Sequence, residues 1–71
     1  MKKAVLDIIN YHIENKILTH IKRGNMHLNG HCKNIEGLNI IFDDRFNGLM
    51  MFPISEINII EKSHFMGDDA E

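Results

Sequence analysis

The stretch HLNGHCKNIEGLNIIF, residues 27–42, combines alternating apolar residues with two glycines and ends in a continuous apolar run. Gly30 interrupts a segment that otherwise has the pattern of a β-strand, and a glycine inside a strand often marks a sharp bend or a bulge. Glu36 and Gly37 separate this segment from the apolar run LNIIF. The stretch therefore predicts a long bent strand, a tight loop and a short strand. The side chains expected to point inward from the long strand are those of Met26, Leu28, Cys32 and Ile35.

Segments on either side extend this pattern to a whole domain. One stripe of residues at steps of three and four predicts a helix over residues 3–15, and its members are Val5, Ile8, Ile9, His12 and Ile13. Short segments rich in β-branched and aromatic residues alternate with turn-forming residues, and they predict five strands. The predicted strands span about 17–22, 26–35, 38–43, 48–52 and 56–60. The expected fold is mainly β in α+β order, with an N-terminal helix followed by a five-stranded, strongly bent antiparallel small barrel.

The length of the chain, 71 residues, allows one domain at most. We assign residues 1–62 to that domain and residues 63–71 to an acidic tail that we expect to be mobile. A domain of this size buries a limited fraction of its surface, and it commonly needs a disulfide, a metal ion or oligomerisation for stability. Cys32 is the only cysteine, so a disulfide within the chain is excluded.

The formal net charge is −2, so the chain as a whole is not a strongly basic nucleic-acid binder. The charge is unevenly distributed, however, because most lysines lie in the first half and Asp68, Asp69 and Glu71 lie at the end. A single unpaired cysteine is typical of a reducing compartment, and the N-terminus lacks the pattern of a signal peptide. No stretch is apolar over the length of a membrane span. We therefore expect a cytoplasmic protein without a membrane partner.

Two of the predicted strands contain residues that are apolar at consecutive positions, IIF at 40–42 and LMMF at 49–52. Successive residues of a strand point to opposite faces, so both faces of these strands need cover. One helix cannot cover both faces, and an open apolar edge favours aggregation. We therefore expect the edge to pair with another copy of the chain in a homo-oligomer.

His27, His31 and Cys32 are the residues of the opening stretch that suggest metal binding or catalysis. On a continuous strand the two histidines would lie about 13 Å apart, too far for one ion, and Cys32 would point to the opposite face. A thiol that faces an apolar core is normally unreactive. We expect no cofactor, no metal site and no catalysis. A small enzyme or metal protein centred on these three residues is one alternative.

The spacing of apolar residues, glycines and asparagine over residues 21–42 resembles the first sequence motif of the Sm and Sm-like family, which includes the Hfq-type RNA chaperones of bacteria. The matching residues are Ile21, Gly24, Leu28, Gly30, Cys32, Ile35, Glu36, Leu38, Asn39, Ile40, Ile41 and Phe42. The segment LMMFPISEINII, residues 49–60, resembles the second motif through Ile54, Ser55 and Ile57. The resemblance covers about residues 4–60, with Glu36 where the family has aspartate and MMF (50–52) where Hfq has Tyr-Lys-His.

The resemblance implies an Sm-like barrel that assembles into a hexameric or heptameric ring, in which the fourth strand of one subunit pairs with the fifth strand of the next. It also implies binding of single-stranded RNA by an RNA chaperone or post-transcriptional regulator. The contacts implied on the inner-pore face are Glu36, Gly37, Leu38, Asn39 and Phe52. The contacts implied on the opposite face are Ile21, Lys22, Asn25, Met26, His27, Leu28 and Asn29. The contacts implied on the rim are Lys2, Lys3 and Lys16.

Alternatives remain open for each of these groups. Leu38 and Phe52 are apolar, and residues of this kind more often belong to the core. Glu36 would equally stabilise its own loop, and His27 would equally be a plain surface residue. For the whole protein, the alternative function is a small-barrel module of Sm fold that binds protein and not RNA. The sequence decides neither the ring size nor which face binds.

Overall fold

A computed structural model describes residues 3–64 of the chain as one helix followed by five strands. The elements are α1 (Lys3–Glu14), β1 (Thr19–Arg23), β2 (Met26–Glu36), β3 (Asn39–Asp44), β4 (Gly48–Pro53) and β5 (Ile57–Lys62). A 3-10 turn, Ile54–Glu56, joins β4 to β5. The predicted fold class, mainly β with an N-terminal helix and a bent antiparallel sheet of five strands, is confirmed. Residues 65–71 of the predicted acidic tail lie outside the described residues.

One face of α1 packs against the core of the sheet. Ile9 and His12 are buried, and Val5, Leu6 and Ile13 pack against the core with partial burial. The predicted stripe is wrong at Ile8, which is 38% exposed, and Leu6 takes part in its place. The reason is that the buried face is centred on Ile9, and the 3.6-residue period turns Ile8 away from that centre. No helix in the described part of the chain has the length and the apolar character needed to cross a membrane.

The end of α1 is closed by a left-handed residue, Lys16, with φ of 53°. The Ile17 N–H donates to the His12 carbonyl oxygen at 3.1 Å, and the Lys16 N–H donates to the Ile13 carbonyl oxygen at 3.3 Å. These two bonds satisfy carbonyl groups that the end of a helix leaves without partners. Glycine usually occupies this position, because a side chain in the left-handed region costs about 1–2 kcal/mol.

The strands form one antiparallel sheet in the order β4-β3-β2-β1-β5. The longest strand, β2, pairs with β1 through residues 26–30 and with β3 through residues 30–36. Gly30 belongs to both pairings, and a Cβ atom at this position would collide with the backbone carbonyl group of Asp43. Glycine is therefore required at this position for a steric reason, because only a residue without a side chain lets β3 approach β2 so closely. The register of this pairing shifts further along, between Cys32 and Asn34.

The sheet is not closed within residues 3–64, because its two outermost strands keep free edges. β4 pairs with β3 and β5 pairs with β1, so each has a second edge without a partner among residues 3–64. The 3-10 turn leads the chain from one edge strand to the other without pairing them. Side chains of β4 alternate as expected for a strand with two apolar faces. Phe52 is buried and Met50 is partly buried, whereas Leu49 and Met51 are 69% and 58% exposed.

The core lies between α1 and the inward face of the sheet. Its buried apolar side chains are Ile9, Ile21, Leu28, Cys32, Ile40, Phe42, Phe52 and Ile54. Full burial of a large apolar side chain contributes roughly 1.5–3 kcal/mol, so this cluster dominates the stability of the domain. Leu28 and Cys32 point inward as predicted, and Ile35 is partly buried. Met26 is instead 48% exposed, because it lies beside the β1–β2 turn at the end of the sheet.

Asp44 organises the connection between β3 and β4. Its side chain is buried, and its carboxylate accepts the backbone N–H groups of Asn29, Phe46 and Asn47 at 2.8 to 3.1 Å. The side-chain amide of Asn47 donates a fourth hydrogen bond at 3.0 Å. The polar segment after β3 is therefore a hairpin connection, and Asp44 ties it to the middle of β2.

Candidate nucleic-acid interface

The outer face of strands β5, β1 and β2 gathers polar, cationic and aromatic side chains. Paired residues on neighbouring strands share a face of the sheet, and alternate residues of one strand share it too. His20 pairs with Asn29 and with Glu61, and Lys22 pairs with His27 and with Ile59. The six residues of this outer-face cluster are His20, Lys22, His27, Asn29, Ile59 and Glu61.

Two histidines and a glutamate of the cluster form a chain of hydrogen bonds. His20 Nδ1 lies 2.9 Å from Glu61 Oε2, and His20 Nε2 lies 2.9 Å from His27 Nδ1. The planes of the two rings differ by 9°, and their centroids are 5.2 Å apart. His20 is the most enclosed of the three, whereas His27 is exposed. The chain therefore holds the His27 ring in a defined orientation at the surface.

Three of the predicted opposite-face residues, Lys22, His27 and Asn29, belong to this cluster. The sequence does not single out His20 and Glu61, because 41 residues separate them and only the pairing of β1 with β5 brings them together. The signal that could have found His20 is its spacing, since a residue two before Lys22 on the same strand must share its face.

The other predicted opposite-face residues divide into two groups. Ile21 and Leu28 are fully buried, because alternation along β1 and β2 directs them into the core, so their side chains do not line the outer face. Asn25 and Met26 are exposed at the β1–β2 turn, at one end of the cluster. Asn29, which belongs to the cluster, is partly buried, and its side-chain oxygen accepts a hydrogen bond from the Ser63 hydroxyl group at 2.7 Å.

The predicted inner-pore residues surround the tight turn between β2 and β3. Gly37 has φ of +60°, which suits glycine, and its neighbours Glu36 and Leu38 are exposed. The Ile54 N–H donates to the Leu38 carbonyl oxygen at 2.9 Å, which joins this turn to the 3-10 turn. Leu38 is 71% exposed and is therefore not a core residue. Asn39 begins β3 and is partly buried.

Phe52 differs from the rest of the inner-pore group because its ring is 2% exposed. Alternation along β4 directs it into the core, so it cannot stack a base in this chain. The Arg23 guanidinium carbon lies 4.6 Å from the centroid of the Phe52 ring, and Arg23 Nε donates to Glu56 Oε1 at 2.7 Å. Arg23 is therefore a cation held beside the 3-10 turn, and the sequence does not single it out for this role.

The predicted rim residues lie at the ends of α1. Lys3 is exposed, and its Nζ lies 3.2 Å from Asp7 Oδ2, so its charge is partly balanced. Lys16 is exposed and lines a depression together with His31 and Lys33. Lys2 lies outside the described residues.

Cys32 is buried in the core, whereas His27 and His31 are exposed on the same strand, β2. Cys32 is 5% exposed, and burial raises the pKa of its thiol to about 11. The reactive thiolate is therefore scarce at neutral pH. Between residues 3 and 64, no group of three or more His, Cys, Asp or Glu side chains is arranged to hold a metal ion.

Comparison with known proteins gives the chain no family assignment. No protein-family model matches it, and no curated protein matches it either. Its function is therefore inferred from its own residues, and the outer-face cluster is a group of side chains suited to binding.

Proposed function

We propose that this protein assembles into a cytoplasmic ring of identical subunits and binds single-stranded RNA, as an RNA chaperone or post-transcriptional regulator. The observation that carries RNA binding is the outer-face cluster, where two imidazole rings, a lysine and an amide lie side by side. Flat rings stack on unpaired bases, a lysine attracts phosphate, and an amide hydrogen-bonds to base edges. A ring repeats this cluster once per subunit, which multiplies weak contacts into avidity.

The unpaired edges of β4 and β5 support assembly into a ring. The Sm-like resemblance implies pairing between these two strands of neighbouring subunits, and both have a free edge within residues 3–64. A sheet that continues across such a junction keeps its outer face continuous, so Leu49 and Met51 of one subunit would adjoin Ile59 of the next. All three side chains are exposed in the single chain, at 69%, 58% and 44%. Pairing would cover an apolar edge that otherwise favours aggregation.

The turns of the inner-pore group provide a second surface for RNA. Leu38 contacts the 3-10 turn through Ile54, and Arg23 contacts the same turn through Glu56. In a ring of the Sm-like type these turns face the pore. Arg23, whose charge is partly balanced by Glu56, would there supply a guanidinium group that Met50, Met51 and Phe52 lack.

Fluorescence anisotropy with labelled oligo(A) and oligo(U) tests RNA binding by the purified oligomer. We expect an affinity that falls as salt rises, because phosphate contacts release counterions from the RNA. Lys22→Gln should weaken binding to every sequence and lower the slope of log affinity against log salt by about 1 per contact. Lys62→Gln is the matched control, because Lys62 pairs with the buried Thr19 and so belongs to the other face of the sheet.

Failure to bind any homopolymer at low salt would overturn the proposal of RNA binding. A ring that forms but binds no RNA would instead favour the alternative, a protein-interaction module of the same fold. The exposed side chains of Leu49 and Met51 would then be the first surface to test for a protein partner.

A further inference from the structure

The hydrogen bonds among Glu61, His20 and His27 determine where their protons lie. An ionised carboxylate can only accept, so His20 Nδ1 must carry the hydrogen in the 2.9 Å bond to Glu61. In a neutral His20 ring, Nε2 then has a lone pair, so His27 Nδ1 must donate across the second 2.9 Å contact. Neutral His27 is therefore left with an unprotonated Nε2 atom, which is a hydrogen-bond acceptor.

One added proton changes His27 Nε2 from a hydrogen-bond acceptor to a donor, whichever of the two histidines binds that proton. If the proton binds to His27 Nε2, this atom becomes a donor. If His20 takes the proton, His20 Nε2 donates to His27 Nδ1, and the neutral His27 ring must carry its own hydrogen on Nε2. The surface end of this chain of hydrogen bonds therefore changes from acceptor to donor when the pair of histidines gains one proton.

The charged and titratable groups that face the two rings come from three places. Lys22 on β1 pairs with His27, and Glu61 on β5 pairs with His20. His64, beyond β5, lines the same depression as His20 and Asn29. Of these side-chain types, histidine is the one that ordinarily changes charge between about pH 5 and 8.

We propose that His27 determines base preference on the outer face and that this preference changes with pH, an inference that rests on the proposed RNA binding. Cytosine presents an amino group where uracil presents a carbonyl oxygen. Neutral His27 accepts a hydrogen bond from the cytosine amino group, whereas the protonated pair donates one to the uracil carbonyl oxygen. His20 and Glu61 are positioning residues, because they select the form of the His27 ring without touching the base.

Anisotropy titrations with short cytidine and uridine oligonucleotides, at about pH 8 and about pH 6, test this inference. We expect the ratio of cytidine affinity to uridine affinity to fall at least about threefold on acidification, the effect of one hydrogen bond. His27→Gln can donate and accept at every pH, so it should make the ratio independent of pH. His31→Gln removes an exposed histidine outside the cluster and should retain the change seen in the natural chain.

The ring nitrogen shifts of the free protein, measured by NMR at about pH 8, test the same inference without RNA. We expect neutral His27 to carry its hydrogen on Nδ1. In His20→Ala the acceptor for this hydrogen is gone, so neutral His27 should carry it on either ring nitrogen. A neutral His27 with its hydrogen on Nε2 would overturn the inference.

The binding outcomes separate this inference from the proposed function. If both oligonucleotides bind with a ratio that does not change with pH, RNA binding stands and the base preference is wrong. If acid tightens the binding of both oligonucleotides equally, His27 contacts phosphate, and the proposed base preference is again wrong. If neither binds at either pH, the proposed function fails and the inference fails with it.

Discussion

Gly30 is the residue on which the close approach of β2 and β3 depends. Gly30→Ala would drive a Cβ atom into the backbone of Asp43, which cannot rotate away as a side chain can. We expect a loss of folding stability at or above the upper end of the roughly 1–3 kcal/mol that overpacking costs. Urea unfolding of the variant and the natural chain at the same protein concentration measures this loss of stability.

Gly24→Ala is the matched control for this prediction. Gly24 has φ of +62°, but a Cβ atom there would meet nothing within 4 Å. This variant should cost only the strain of a left-handed residue, about 1–2 kcal/mol. Equal losses in the two variants would show that steric conflict with Asp43 is not what makes Gly30 necessary.

Single residues differ in how far their role can be predicted from sequence. The glycine inside a strand pattern indicated a special position at Gly30, where the backbone of Asp43 comes close, and alternation placed Leu28 and Cys32 in the core. Alternation alone could not distinguish exposed Leu38 from buried Phe52, because both are apolar residues near turns. The partners His20 and Glu61 could not be found, because their contact depends on the register between strands far apart in sequence.

At the scale of elements, the packing of α1 on β1 includes a buried hydrogen bond between His12 and Thr19. His12 Nδ1 lies 2.8 Å from Thr19 Oγ1, and this hydroxyl group donates to the Ile17 carbonyl oxygen at 2.8 Å. The hydroxyl oxygen therefore accepts from His12, whose neutral ring carries its hydrogen on Nδ1. Burial lowers the pKa of His12, because the charged ring loses its hydration.

This lowered pKa predicts that acid destabilises the fold. In the unfolded chain a histidine has a pKa of about 6.5, so between that value and the lower folded pKa the unfolded state binds more protons. The free energy of unfolding therefore rises with pH in this window. The contribution of His12 is complete above about pH 6.5 and is lost as the pH falls toward the folded pKa.

Urea unfolding at about pH 7.5 and about pH 5.5 measures the contribution of His12. His12→Gln retains an N–H donor for Thr19 but does not titrate, so it should reduce the loss of stability on acidification. His31→Gln, at an exposed histidine, should leave that loss unchanged. A His12→Gln variant that loses as much stability in acid as the natural chain would contradict the prediction.

Lys16 connects the end of α1 to the proposed rim contact. Lys16→Gly should raise folding stability by about 1 kcal/mol, because glycine adopts the left-handed conformation without strain. If Lys16 also contacts phosphate, the same variant should bind RNA more weakly, with a salt slope lower by about 1 per contact. Lys16→Ala should weaken binding without the gain in stability. Unchanged RNA affinity in both variants would remove Lys16 from the rim.

The elements themselves were largely predictable, because each has a local signal. The 3.6-residue period indicated α1, and turn residues separated the strands. The start of β1 was less predictable: the structure places it at Thr19, whereas the prediction began at residue 17. The reason lies in the helix end, because the left-handed Lys16 and the hydrogen bond from Thr19 to the Ile17 carbonyl oxygen keep the intervening residues in the connection.

At the scale of the whole molecule, the two open edges predict assembly with other copies of the chain. For the hexameric or heptameric ring that the Sm-like resemblance implies, light scattering at micromolar concentration should give six or seven times the chain mass of 8.3 kDa. Leu49→Lys combined with Met51→Lys should reduce this mass toward that of one chain, because two charges per subunit would have to be buried in each junction. The same variant should unfold at lower urea concentration, since assembly stabilises the folded state by mass action.

Tyr11→Lys is the matched control for the edge variant, because Tyr11 is also a large exposed side chain, 60% exposed, but lies on α1. It should leave the mass unchanged. A mass of one chain for the natural protein would remove the ring, and the outer-face cluster would then act singly, with weak binding and no avidity. If the ring persists in the edge variant but is lost in Tyr11→Lys, the subunit junction lies on the helix. The exposed apolar side chains of β4 and β5 would then need another explanation.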